Sequence, residues 1–287
     1  MPELPEVETV RRGLAPVLEG VRLSRVLARR PDLRFPLPPD FVQRLTGATI
    51  LRLDRRAKYL LGRLDRDETL VMHLGMSGRF DISRAEGQSR PGQFHSAVAS
   101  DVKHAHIVFE TDAGDTVTYY DPRRFGYMAL INTATLDQHP WFAGLGPEPL
   151  SGAFDAARLL GVFAGRKQGP KTLLLDQRTV AGLGNIYVCE ALNRARISPF
   201  KPAGQVSAAR LAVLVQEIKA VLAEAISAGG STLRDFAQTD GALGYFQHSF
   251  RTYDREGERC RNDGCKGTIG REMQAGRSTF FCRRCQR

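Results

Sequence analysis

Four cysteines fall within the last 28 residues of this chain, spaced Cys260-x4-Cys265-x16-Cys282-x2-Cys285. No other feature narrows the fold as much. The amino end, MPELPEVETVRR, is acidic and then basic, with no apolar stretch of signal-peptide type, so the chain is expected in the cytoplasm. Thiols stay reduced there, and two close pairs flanking a hairpin-length insert read as metal ligands rather than disulfides. Four thiolates suit a closed tetrahedral site, so the expected cofactor is one structural zinc ion in a zinc ribbon. Residues 251–287 hold ten Lys/Arg against five Asp/Glu, a small basic module with too little core to fold alone. Zinc would supply that folding energy. No cluster of His and carboxylates suggests a catalytic metal, and Cys189, alone on an apolar helix face, reads as core.

A chain of 287 residues suggests about two domains. No apolar run approaches the ~18 residues that span a bilayer, so no membrane partner is expected. Residues 5–19 read as a helix with Val7, Val10, Leu14 and Val17 or Leu18 on one stripe. From 21 to 131 the segments Ala48–Leu53, Tyr59–Leu64, Thr69–Leu74, His106–Glu110 and Thr116–Tyr120 are short and branched or aromatic, which fits a β-sandwich or barrel. Residues 84–103 are polar and Gly/Ser-rich and read as a long loop. Prolines and glycines over 136–152 signal a linker. Helices are expected over Ala153–Gly165, Asn185–Ala195 and Ser207–Ala228, with Ser207 as N-cap of the third. Residues 231–250 read as a flexible loop. The organisation is thus α+β and multidomain: 1–135, a linker at 136–152, a helical domain at 153–250, and the cysteine module at 251–287.

The charge is +10, with 41 Lys/Arg against 31 Asp/Glu, which favours a polyanionic partner. The amino end adds chemistry. Methionine is efficiently removed before proline, so the mature chain would begin with the secondary amine of Pro2. An α-amino group titrates near ~7.7–8.0, well below lysine at ~10.4, so a useful fraction is neutral at physiological pH. Such an amine can attack C1′ of a sugar and form an iminium, which splits one hard step into easier ones. Glu3 and Glu6 lie beside it, and a carboxyl there can deliver or accept a proton.

MPELPEVETVRRGL at 1–14, HLGMSG at 73–78, DPRRFG at 121–126, GLGNIY at 182–187 and the four cysteines occur in that order. This arrangement resembles the formamidopyrimidine-DNA glycosylase family (Fpg/MutM, within the Fpg/Nei group) over nearly the whole chain. The resemblance implies an N-terminal β-sandwich carrying the N-terminal helix, a helix-two-turn-helix domain and a C-terminal zinc ribbon, with DNA in a basic cleft. It implies that Pro2 forms the Schiff base, that Glu3 donates the proton that opens the sugar, and that Lys58 and Arg277 serve β- and δ-elimination. Met76, Arg123 and Phe125 match residues that enter the duplex when the damaged base is flipped out. His104, Arg123 and Lys167 match DNA-binding positions, Asn185 a phosphate-binding asparagine at a helix start, and Lys171 a lysine near the lesion pocket. Glu6 is grouped with the DNA-contacting residues. Residues 231–246 resemble the loop that covers an extruded 8-oxoguanine.

The function implied is bifunctional: excision of 8-oxoguanine or formamidopyrimidines from double-stranded DNA, then cleavage at the abasic site. A monomer is expected, one lesion needing one cleft. PELPEVET points to the oxidised-purine branch rather than the endonuclease VIII branch, which acts on oxidised pyrimidines. A non-catalytic DNA-binding zinc protein would lack Pro2, Glu3 or Lys58. An RNA-binding zinc ribbon would not need Met76, Arg123 and Phe125.

Overall fold

The structure, a computed structural model, describes residues 2–84, the backbone of 87–89, and residues 102–231 and 245–287. The resemblance assigned to 231–246 and the loop expected at 84–103 therefore lie largely outside the described residues. Two compact units are present: Met1–Ala143 with Ala228–Tyr245, and Gly144–Ser227 with Phe246–Arg287.

The first unit opens with helix α1, Leu4–Leu18, close to the span the apolar stripe predicts. Its first turn is closed by the Glu3 N–H donating to Glu6 Oε2 at 2.9 Å, and by Pro5, whose missing N–H costs nothing at a helix start. Val7, Val10, Leu14, Val17 and Leu18 are each at most 2 % exposed. Their burial contributes roughly 1.5–3 kcal/mol per side chain.

The strands are β1 (Val21–Ala28), β2 (Thr49–Arg56), β3 (Tyr59–Leu64), β4 (Glu68–His73), β5 (Arg79–Arg84), β6 (Gly87–Ser89), β7 (Ala105–Thr111), β8 (Thr116–Tyr120) and β9 (Tyr127–Asn132), with a short helix α2 at Phe41–Leu45. Their order is β6-β5-β8-β7-β1-β2-β3-β4-β9, and every pairing is antiparallel. The start of β1 pairs with β2 and the rest with β7, with a register shift between Leu23 and Arg25. One strand thus serves two sheets, and the sandwich rather than the barrel is formed. A single apolar core joins Val10 and Leu14 of α1 to Leu23, Ile50, Leu60, Met72, Phe80, Phe109 and Met128 of the sheets.

The second unit holds α3 (Ala156–Phe163), α4 (Pro170–Leu175), α5 (Asn185–Arg194) and α6 (Ala208–Ser227), then the hairpin β10 (Ile269–Gln274) and β11 (Arg277–Cys282). Asp155 caps α3 through its bond from the Arg158 N–H, and the Ser207 hydroxyl accepts from the Arg210 N–H at the start of α6. The stretch expected as a linker is closely packed in part. The Gly146 N–H donates to the Gln177 carbonyl, and a Cβ at 146 would sit 2.5 Å from the Arg178 oxygen. Within 245–250, Phe246 and Phe250 are buried around a 3-10 turn. Among the described residues no helix is long and apolar enough to cross a membrane.

Candidate active site and nucleic-acid interface

Pro2 and Glu3 are buried at the head of α1, a place fixed by the packed stripe behind them. Glu6 is also buried. Its Oε2 holds the Glu3 backbone, while its Oε1 accepts from the Ser231 N–H at 2.8 Å and the Ser231 hydroxyl at 3.0 Å. Glu6 thus ties the first turn of α1 to Ser231, in addition to any contact with nucleic acid.

Lys58 follows a tight turn at Ala57, whose φ of 53° lies in the left-handed region. Arg55 holds that turn: it donates to the Ala57 carbonyl at 2.9 Å and to Glu8 of α1 at 3.3 Å. Glu8 is further paired with Arg11 and Arg12, and their bonds and charges hold its carboxyl below the usual range although burial alone would raise it. The helix that carries Pro2 and the turn that carries Lys58 are therefore linked by one ion-pair network. Lys58 itself is 8 % exposed.

Two loops meet nearby in the same unit. Met76 in HLGMSG and Arg123 and Phe125 in DPRRFG, with Arg34, His73 and Arg124, line a cavity of about 540 Å3. The Arg123 guanidinium lies 4.7 Å from the Phe125 ring centroid, and Phe125 is 39 % exposed. An exposed aromatic under a cation, beside a half-buried Met76, forms a wedge suited to a gap in a base stack. His73 was not singled out from the sequence, although it opens a quoted motif. Its Nδ1 accepts from the Gly75 N–H at 3.0 Å, which leaves Nε2 as the proton-bearing nitrogen. Burial first, then Lys58 and Arg34, push its pKa down from 6.5 to about 4, so the ring is neutral at physiological pH. It stacks on Tyr127 at 4.7 Å, and Tyr127 shares a hydroxyl contact of 3.0 Å with Tyr59, the neighbour of Lys58. His104 is half-buried at the end of a short 3-10 turn.

In the second unit Lys167 is exposed, while Lys171 is 1 % exposed. The Lys171 ammonium donates to the Ser278 carbonyl at 3.0 Å and the Thr279 hydroxyl at 2.6 Å. Asn185, the first residue of α5, donates to the same Ser278 carbonyl at 2.9 Å. Both side chains thus grip β11 next to exposed Arg277. That arginine follows the two-residue turn Ala275–Gly276, in which both φ values are positive, as a tight hairpin requires.

The four cysteine sulfurs lie within 4.8 Å of one another, with Cys260–Cys285 and Cys265–Cys282 each at 3.7 Å. A tetrahedron of thiolates around an ion at about 2.3 Å needs edges of about 3.8 Å, so the group can hold a metal ion of zinc's size. Cys189 is 2 % exposed and belongs to the core of α5.

A sandwich headed by a proline, and a helical unit closed by a four-cysteine hairpin, is the architecture of the Fpg-like DNA-repair proteins. Family profiles agree: the formamidopyrimidine-DNA glycosylase N-terminal domain matches residues 1–128 and the formamidopyrimidine-DNA glycosylase H2TH domain matches 145–237. The chain belongs to the formamidopyrimidine-DNA glycosylase family. Proteins of that name from Phenylobacterium zucineum (strain HLK1) and Caulobacter sp. (strain K31) are 78% and 71% identical to it, each over 100% of both chains. A point mutant of Lactococcus lactis FPG, solved with a Fapy-dG containing DNA, matches at a TM-score of 0.85 and 33% identity, covering 100% of both chains. MutM (FPG) from Thermus thermophilus matches at 0.82 and 38%, covering 99% of this chain and 98% of that one.

Proposed function

We propose that this chain excises oxidised purines from double-stranded DNA with the Pro2 amine as nucleophile, and then cuts the strand at the abasic site. A DNA glycosylase of base-excision repair is the function that full-length identity of 70–78% to formamidopyrimidine-DNA glycosylases carries. The same relatives set aside the oxidised-pyrimidine branch and a binding-only protein. The observation that carries the chemistry is the buried Pro2–Glu3 pair at the head of α1, tied through Glu8 and Arg55 to the turn before Lys58.

In this reading the neutral Pro2 amine attacks C1′, and the damaged base leaves with the electrons of the glycosidic bond. Glu3 supplies the proton that opens the sugar, and an iminium remains on Pro2. β-Elimination, served by Lys58, expels the 3′ phosphate. δ-Elimination, served by Arg277, expels the 5′ phosphate and leaves a one-nucleotide gap with phosphates at both ends. Met76, Arg123 and Phe125 fill the space of the extruded base, and Arg123 bonds to the widowed partner, a contact worth about 1–3 kcal/mol of discrimination. His104, Lys167, Asn185 and Glu6 complete the DNA-contacting set, with Lys171 supporting it from beneath β11. The Cys260, Cys265, Cys282 and Cys285 thiolates hold a structural zinc ion, which supplies folding energy to the hairpin. The protein acts as a monomer.

Borohydride trapping tests the reading, using protein whose amino terminus has been established by mass spectrometry and a duplex with 8-oxoguanine opposite cytosine. A covalent adduct on Pro2 is expected. Absence of an adduct, from zinc-loaded protein with Pro2 exposed as the terminal amine, overturns it.

A further inference from the structure

Asp121, the first residue of the DPRRFG loop, is completely buried and bonds to residues of both wedge loops. Its Oδ1 accepts from the Ser77 hydroxyl at 2.5 Å. Its Oδ2 accepts from the Gly126 N–H at 2.7 Å and the Tyr119 hydroxyl at 3.3 Å. The Ser77 oxygen in turn accepts from the Arg123 N–H at 3.2 Å. The Asp121 carbonyl takes the Arg124 N–H at 3.2 Å and the His106 Nε2–H at 2.9 Å. Each wedge residue is thus bound to this carboxylate at one remove: Met76 through Ser77, Arg123 through its own N–H, and Phe125 through Gly126.

The loops also touch backbone to backbone. A Cβ on Gly75 would lie 2.3 Å from the Gly126 nitrogen, and one on Gly126 would lie 1.8 Å from the Tyr119 hydroxyl. Between them Arg124 is held at φ 53°, a left-handed conformation that a non-glycine residue adopts at a cost and keeps only where its surroundings enforce it.

We propose that Asp121 is a positioning residue that locks the HLGMSG and DPRRFG loops into one rigid wedge, and through Arg123 sets discrimination of the base opposite the lesion. The inference rests on the reading that the wedge enters the duplex. A buried carboxylate with three donors could be merely structural, in which case its loss would reduce activity on every substrate alike. A positioning role predicts a selective loss, because only the contact to the widowed base depends on where Arg123 points.

Asp121→Asn is the informative change. Its amide can still accept from one loop but places an N–H₂ against the donors of the other. Excision of 8-oxoguanine is measured opposite cytosine and opposite adenine, and hydrogen exchange of the Gly126 amide is measured in the free protein. We expect the cytosine-to-adenine rate ratio to fall by about fivefold or more, and Gly126 exchange to rise while β2 amides stay protected. Ser77→Ala, which keeps the carboxylate but removes both its Ser77 donor and the Arg123 anchor while leaving the Gly126 bond, lowers the ratio in the same direction by less; it serves if the asparagine variant does not fold. An unchanged ratio in both variants overturns the inference, as does an equal loss opposite both bases. If the wild-type protein excises the lesion without discriminating, the wedge reading itself fails, a different outcome from a discriminating wild type with unaltered variants.

Discussion

Lys171 and His73 show how burial changes the meaning of a polar side chain. The family resemblance implies a place near the lesion for Lys171, and in the structure its ammonium is bonded to Ser278 and Thr279. A buried ammonium is tolerable only when hydrogen-bonded, and bonds to charged groups contribute about 1.5–3 kcal/mol. Lys171→Met is expected to lower stability by about 2 kcal/mol in urea unfolding with zinc present; a change within about 0.5 kcal/mol, the surface-mutation range, would contradict that. For His73 the prediction concerns pH. The folded pKa of about 4 lies below the ordinary 6.5, so between these values the unfolded chain binds a proton that the folded chain does not. Stability therefore falls as pH drops through that window. The difference in melting midpoint between wild type and His73→Gln should narrow from pH 7 to pH 5, and a constant difference would rule out a buried neutral ring. Pro2, Glu3 and the cysteines are legible in the sequence because their chemistry follows from residue type and spacing, whereas Lys58 is picked out only by the family resemblance. His73 and Asp121 sit inside quoted motifs yet carry no such signature, since their roles depend on partners distant in the chain.

Among the elements, the carboxyl-terminal hairpin is the one whose fold is expected to depend on an ion. Its apolar cluster is small, Ile269 and Phe280 with the cysteines and Tyr253, while Phe281 packs on Phe200. Glu190 of α5 anchors the segment ahead of it, accepting the N–H groups of Arg251, Thr252 and Tyr253 at 2.8–2.9 Å. Chelating the metal is expected to abolish DNA binding, read by fluorescence anisotropy, before the sandwich unfolds. Binding that survives in metal-free protein would remove the hairpin from the interface. Gly267 offers a finer test. A Cβ there would lie 2.7 Å from the Cys282 sulfur and 3.4 Å from that of Cys265, so Gly267→Ala should release zinc to a chelator faster than wild type. Equal release rates would show that the sulfurs can shift at little cost. The hairpin and α1 were readable because spacing and a 3.6-residue stripe are local. Strand β1 was harder: only two of its eight residues are buried, since it turns from one sheet to the other and keeps no single inner face. Helix α4, six residues long, is too short to show a period.

For the whole molecule the governing quantity is charge. Composition gives +10 at once, but it does not say which cations meet phosphate, because many of the described lysines and arginines are exposed or paired with acids. Arg11 and Arg12 pair with Glu8, Arg178 with Asp176 and Arg194 with Glu224. The cations proposed to meet phosphate, Lys58, Lys167 and Arg277, are far fewer than the total, since Arg123 is assigned to the base opposite the lesion. Each neutralised phosphate releases counterions and adds about −0.9 to the slope of log K against log salt. About three contacts give a slope near −2.7, so affinity for an abasic duplex should fall by roughly 40-fold between 50 and 200 mM salt. Lys167→Ala should weaken binding equally for every lesion and make the slope shallower by about one. Arg123→Ala should instead cost discrimination between opposite bases more than total affinity. A slope near zero would mean that the net charge serves something other than DNA. A steep slope that Lys167→Ala leaves unchanged would shift the phosphate contacts to cations outside the proposed set, and exposed Arg284, between Cys282 and Cys285, would be the next to exchange for alanine.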